Sequence, residues 1–200
     1  MITQLPGFIN PVHDAQETFR VLLAAMAHPG KQFKLTVKKN IKINPIKPAY
    51  AAACLTLLDL ETRVWLQRGF SKEFKSWLLF HAGCNFVGTP NFADFALIDD
   101  VEALPELSNF CLGIAEQPET STTLLIPVDS WEGGESVELI GPGILGHRRI
   151  SPKLPSHFWD CWRANHQAYP LGVDVFLFSE NQVMGLPRTV GFKTPIVSVK

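Results

Sequence analysis

Apolar residues at Phe19, Leu22, Leu23 and Met26 recur at the i, i+3, i+4, i+7 spacing of a helix that buries one face, predicting a helix from Pro11 to Ala27. His28, Pro29 and Gly30 stop it. Gln32 to Val37 reads as a strand, and after a lysine-bearing loop Pro48 opens a second helix whose formers run from Ala51 to Leu60. Arg63 to Leu66 is a short strand. Ser71 is placed to cap a third helix through Glu73, Phe74 and Phe80, with Gly83 where a left-handed C-terminal residue is wanted. Asn85 to Val87 reads as a strand, and so does Phe95 to Ile98 after the turn at Gly88, Thr89 and Pro90; Asp99 and Asp100 bound the latter.

The second half changes character. Thr122 to Pro127 and Val137 to Ile140 read as antiparallel partners separated by a loop through Asp129, Trp131, Gly133 and Gly134. Pro155 to His166 is a helix carrying Phe158, Trp159 and Trp162 on one side. Val173 to Phe178 and Val183 to Leu186 form a hairpin-like pair around Glu180 and Asn181. Alternating helices and strands require crossovers, whereas the later strands need only short turns. The economical architecture is therefore an α/β fold of three α/β/α layers with a mixed sheet. With no repeat and no linker, residues 1–200 are expected to form one domain.

Composition narrows the function classes. Hydrophobic residues make up 46% and charged residues 18%, a thinly charged surface that hints at burial in an assembly. A formal net charge of −1 gives no field to attract nucleic acid or an anionic membrane. Lys38, Lys39, Lys42 and Lys47 form a local basic run that could steer an anion, although Asn40, Asn44, Pro45 and Pro48 among them favour a solvated loop. Cys54, Cys84, Cys111 and Cys161 are widely spaced and include no C-x-x-C, so reduced thiols are expected. Met1 to Asn10 lacks the pattern of a signal peptide, and no apolar run reaches the ~18 residues of a membrane span, which makes a cytoplasmic location the expectation.

No G-x-S-x-G, phosphate-loop, H-E-x-x-H or G-x-G-x-x-G pattern is present. The specific features lie in the C-terminal third. Gly141 and Gly143, flanking Pro142, either bring backbone amides to a phosphate or phosphonate oxygen or simply turn the chain. Arg188, set by Pro187, either grips an anion with its planar fork or pairs with Asp174 or a partner subunit. Arg163 and His166 lie close together on their helix, where they could face one groove, although His166 also suits a C-terminal cap. His157 and Cys161 have the i, i+4 spacing of two zinc ligands, yet a lone cysteine on an aromatic face more often belongs to a core. Trp159 and Trp162 read as core or interface residues.

Several stretches taken in order carry a family likeness. They are F-R-V-L-L-A-A-M-A-H-P-G (Phe19 to Gly30), L-T-L-L-D-L-E-T (Leu55 to Thr62), G-T-P-N-F-A-D-F-A-L-I (Gly88 to Ile98), L-I-G-P-G-I (Leu139 to Ile144), the turn Tyr169-Pro170-Leu171-Gly172-Val173-Asp174, and G-L-P-R-T (Gly185 to Thr189). Together they resemble the PhnH family of phosphonate metabolism proteins over nearly the whole chain. The resemblance implies a homodimeric H subunit of the bacterial carbon-phosphorus lyase core complex, with G, I and J subunits as partners. That assembly forms ribose 1-phosphonate 5-triphosphate from ATP and a phosphonate such as methylphosphonate, so a phosphonate or nucleotide would be the ligand within the complex. The family's H subunit has no established catalytic residue. It also resembles a reduced relative of pyridoxal-phosphate-dependent transferases that does not use the cofactor. Lysines confined mostly to polar loops agree with that, since a Schiff-base lysine needs a depressed pKa. The competing reading is a stand-alone phosphate- or phosphonate-binding transferase with its own cleft.

Overall fold

The computed structural model describes residues 7–37 and 45–193; Lys38, Lys39 and Lys42 of the basic run lie outside them, as does most of the N-terminal stretch. In chain order the elements are α1 (Pro11–Ala27), β1 (Phe33–Lys34), α2 (Pro48–Leu57), β2 (Arg63–Leu66), α3 (Lys72–His81), β3 (Asn85–Phe86), β4 (Phe95–Leu97) and β5 (Thr123–Pro127). There follow β6 (Val137–Ile140), β7 (Arg148–Ile150), α4 (Phe158–Gln167), β8 (Asp174–Ser179), β9 (Gln182–Leu186) and β10 (Gly191–Lys193).

Seven strands form one mixed sheet in the order β1-β9-β8-β5-β4-β2-β3. Its centre, from β3 to β8, is parallel, while β8, β9 and β1 are antiparallel neighbours. Side chains alternate between two cores, as a pleated strand requires. Leu97, Leu125, Phe176 and Phe178 point to the face carrying α1, α2 and α3. Ala96, Ile98, Leu124, Ile126, Val175 and Leu177 point to the opposite face, under Phe158, Trp159 and Trp162 of α4. The mixed sheet with helices on both faces is thus observed. The second face is shared with a three-stranded antiparallel sheet, β10-β6-β7, that sequence periodicity did not separate.

That small sheet corrects the expected β5–β6 pairing. β5 lies between β4 and β8, parallel to both, and β6 pairs with β7 and β10 instead. The reason is visible in the side chains. Leu124, Leu125 and Ile126 form a continuous apolar run suited to burial on both faces, whereas β6 alternates buried and half-buried positions and needs only one core.

Local chemistry sets the helix ends. Asn10 caps α1 by accepting from His13 N at 3.2 Å, and Ser71 caps α3 by accepting from Phe74 N at 3.1 Å. α2 ends at Leu57, short of the expected Leu60, because the Asp59 carboxylate accepts the N–H groups of Glu61 and Thr62, each at 3.0 Å, and draws the chain into a turn. On α1 the buried residues are Asp14, Thr18, Leu22 and Ala25, while Phe19 and Leu23 face outward rather than into the core. Close approach explains the rotation. Gly185 of β9 lies against the backbone of α1 at Ala25, which turns the Ala25 and Leu22 side of the helix to the sheet.

Candidate functional site

The chain enters the parallel sheet at β2, steps outward to β3, then returns to the other side of β2 with β4 and continues to β5 and β8. Strand order therefore reverses between β2 and β4, the position at which open α/β sheets form ligand crevices beyond their carboxyl ends. A cavity of about 390 Å³ occupies that place, bounded by the loops after β2, β4 and β5 and by the start of α2. Its volume lies within the usual range for small-molecule pockets.

Tyr50 and Asp99 line it, and Gln67 holds its β4 loop from behind. Tyr50, in the first turn of α2, is fully buried, and its hydroxyl donates to the carbonyls of Ile98 and Leu125 at 3.1 and 3.2 Å, tying the ends of β4 and β5 together. Burial pushes its phenol pKa up, so it remains a neutral donor. Gln67, just beyond β2, uses its whole amide on the loop after β4. Its Oε1 accepts from Asp99 N and Asp100 N, each at 2.8 Å, and its Nε2 donates to the Asp100 and Ala103 carbonyls at 2.9 and 2.8 Å. Asp100 then accepts from Glu102 N at 3.0 Å. The loop that presents Asp99, Asp100 and Glu102 to the cavity is held from within the protein.

Asp99 lies beside Gly69, where φ is +133° and an added Cβ would come within 2.4 Å of the carboxylate. Burial, and after it the neighbouring Asp100 charge, holds the Asp99 carboxyl above the usual aspartate range. A carboxyl with a raised folded-state pKa contributes most to stability below its unfolded pKa, about 4, and loses that contribution as pH rises through the folded value. Asp99→Asn should accordingly raise Tm at neutral pH, with the gain vanishing toward pH 4. Thermal melts of both proteins across that range test it, and an offset independent of pH would contradict it. On the β5 side, Lys47 Nζ donates to Val128 O at 2.5 Å, and Lys153 Nζ lies 3.4 Å from Asp129 Oδ2.

The residues nominated from sequence lie elsewhere. Arg188, whose side chain is 11% exposed, donates from Nε and Nη2 to the two carboxylate oxygens of Asp174 at 3.2 and 2.5 Å. It also donates to Pro118 O at 2.6 Å and to Ser121 Oγ. Of the two readings of Arg188, the Asp174 pair is what forms, at the amino ends of β5 and β8 and so at the opposite sheet edge from the cavity. The Arg188 carbonyl takes a 3.0 Å hydrogen bond from His166 Nδ1, so these two nominated residues do meet. His166 thereby joins α4 to the loop after β9 rather than sharing a groove with Arg163, which pairs with Asp160 at 3.1 Å and stacks over Phe192.

Both glycines of the G-P-G turn have positive φ and are hemmed by protein. An added Cβ at Gly141 would lie 3.0 Å from Thr189 O, and one at Gly143 would lie 2.3 Å from Ala27 O at the end of α1. Trp159 and Trp162 are buried in the core under α4, and Trp162 Nε1 donates to Val190 O at 2.9 Å. Cys161 donates its thiol to Glu106 at 2.9 Å; burial first, then that carboxylate, pushes its pKa up to about 11. Among the described residues no group of three or more His, Cys, Asp or Glu is placed to hold a metal ion. None of their helices is long and apolar enough to cross a membrane.

Apart from Lys47 of the basic run, the cavity residues escaped the sequence reading, although one signal was present. Two aspartates directly follow the apolar strand Phe95 to Ile98, which in a parallel sheet marks the carboxyl end where sites form.

Residues 6–193 match the model of the family described as bacterial phosphonate metabolism protein (PhnH). The chain belongs to the PhnH family. It is 38% identical over 185 residues, 92% of each chain, to alpha-D-ribose 1-methylphosphonate 5-triphosphate synthase subunit PhnH of Rhizobium meliloti (strain 1021). It is 35% identical over 178 residues, 87% of this chain and 83% of the relative, to the putative C-P lyase subunit protein HtxG of Stutzerimonas stutzeri. Four of the stretches that carry the PhnH likeness, around His28, Gly143, Asp174 and Arg188, hold elements together. Gly143 packs on the end of α1, Arg148 Nη1 donates to the His28 and Pro29 carbonyls, and Arg188 crosslinks β8 to the turn before β5.

Proposed function

We propose that this chain serves as a subunit of a carbon-phosphorus lyase assembly, required for forming ribose 1-phosphonate 5-triphosphate from ATP and a phosphonate such as methylphosphonate, and acting as an accessory or scaffolding component. The observation that carries this is the 38% identity, spanning 92% of both chains, to a relative named as a subunit of that synthase. The surface supports it. Val12, Phe19 and Leu23 stand exposed along α1, Leu79 and Phe80 along α3, and Leu145 at the tip of the β6–β7 loop, a display of apolar side chains suited to contact with other chains.

The subunit acts as a cytoplasmic homodimer, one PhnH-like domain over 1–200, docking to G-, I- and J-type subunits. Kinship to pyridoxal-phosphate-dependent transferases, without the cofactor, is a proposal of the same rank, supported by the mostly parallel mixed sheet with helices on both faces. Arg163 presents its charge to solvent, so an anion or partner contact among the nominated residues falls to it, while Gly141, Gly143, His166 and Arg188 serve the architecture. The cavity is what favours the competing reading of a self-sufficient transferase. Co-expression with the G-, I- and J-type subunits separates the two: this chain should co-purify with them in fixed stoichiometry, and persistence as an isolated species would overturn the subunit role.

A further inference from the structure

The cavity at the carboxyl ends of β4 and β5 is polarised. Beside β4 stand Asp99, Asp100 and Glu102; toward β5 stand Lys47, tied to Val128 O, and Lys153, paired with Asp129. Ionised carboxylates only accept hydrogen bonds and ammonium groups only donate them, so a molecule satisfying both ends brings donors to the first and oxyanion acceptors to the second. Lys47 spends one of its three donors on Val128 O, which fixes the ammonium at the rim and leaves two protons for a ligand. Lys153 and Asp129 form a well-exposed pair at 3.4 Å, of the kind that holds the lysine only weakly.

Competing occupants fit less well. A long polyanion would meet four carboxylates against two ammonium groups. The acidic side chains do not converge as a metal site.

The geometry points to a small polyhydroxylated oxyanion in this cavity, a sugar phosphate or sugar phosphonate, with its oxyanion against Lys47 and Lys153 and its hydroxyls against Asp99 and Glu102. The choice of a sugar rests on the phosphonate-processing role proposed above, because the product named for the Rhizobium meliloti relative is a phosphonate-bearing ribose. The polarity of the cavity does not depend on that role.

Titration calorimetry of the full-length chain with ribose 5-phosphate tests this, with ribose, inorganic phosphate and 2-aminoethylphosphonate as comparison ligands. Saturable binding of ribose 5-phosphate is expected, weakened roughly a hundredfold by Lys47→Met together with Lys153→Ala, about tenfold for each lost charge-assisted contact. Ribose and phosphate alone should each bind more weakly. Lys153→Glu, at an exposed position that leaves folding intact, should weaken binding on its own. The inference is overturned if ribose 5-phosphate does not bind up to about 10 mM, an affinity weaker than −3 kcal/mol. It is equally overturned if binding is indifferent to the lysine replacements or if the aminophosphonate binds more tightly. Co-purification of the doubly replaced chain with the other subunits reads the subunit role separately, so that role stands or falls independently of the cavity.

Discussion

Asp174→Ala should destabilise the protein by about 3 kcal/mol, because it strands a guanidinium that folding has removed from water. Arg188 is 11% exposed and Asp174 24%, and the pair is bidentate, with Arg188 N adding a third hydrogen bond to the same carboxylate at 2.8 Å. What remains to Arg188 after the replacement is Ser121 Oγ and one carbonyl, neither of them charged. Arg188→Lys should not be tolerated as a conservative change, since a point charge cannot span Asp174, Pro118 and Ser121 at once. Removing both partners, as Asp174→Leu with Arg188→Met, should recover much of the loss, because an apolar pair leaves no uncompensated charge. Urea unfolding at constant m-value of the parent, Asp174→Leu, Arg188→Met and the double replacement tests the coupling. Additive losses would show that the network is incidental.

Gly185→Ala is the second large effect. A Cβ there would sit 2.6 Å from Ala25 O and 2.8 Å from Met26 N, atoms of a helix backbone that cannot rotate away. α1 must lift from β9, at a cost of about 2 kcal/mol and a Tm loss of roughly 6 °C. Amide exchange should quicken along α1 while β5 and β8 keep their protection. A Tm within a degree of the parent would mean that α1 and β9 do not meet as described.

The residues that stood out in the sequence are ones the fold uses as joints. Pro187 and Arg188, Gly141 and Gly143, and His166 stand out because glycine, proline and a forked cation are conspicuous, and that same chemistry is what tightly joined elements need. Arg188 satisfies β8 and the turn before β5; Gly143 lets the small sheet touch α1. The α1 boundaries, the Ser71 cap, Gly83 in the left-handed region and the hairpin at Glu180 were legible because each rests on a local rule of spacing, capping or turn chemistry. Partner choice between strands was not. Whether β5 pairs with β6 or with β8 is decided by residues distant in sequence, and β7 and β10 are too short to show a period. The cavity shares that difficulty, since Lys47, Phe70, Asp99 and Lys153 converge only when the parallel strands align.

Outward-facing Phe19 and Leu23 carry a related lesson. Periodicity reports that α1 has an apolar stripe but not what covers it: Leu22 and Met26 pack into the core, whereas Phe19 and Leu23 turn outward. In an isolated globule such a face would be a liability; in a subunit it is surface for another chain.

Growth on methylphosphonate as the sole phosphorus source tests the phosphonate role most directly. A strain deleted for this chain should fail to grow there while growing normally on inorganic phosphate, and the intact protein supplied in trans should restore growth. Undiminished growth of the deletion strain on methylphosphonate would contradict the account.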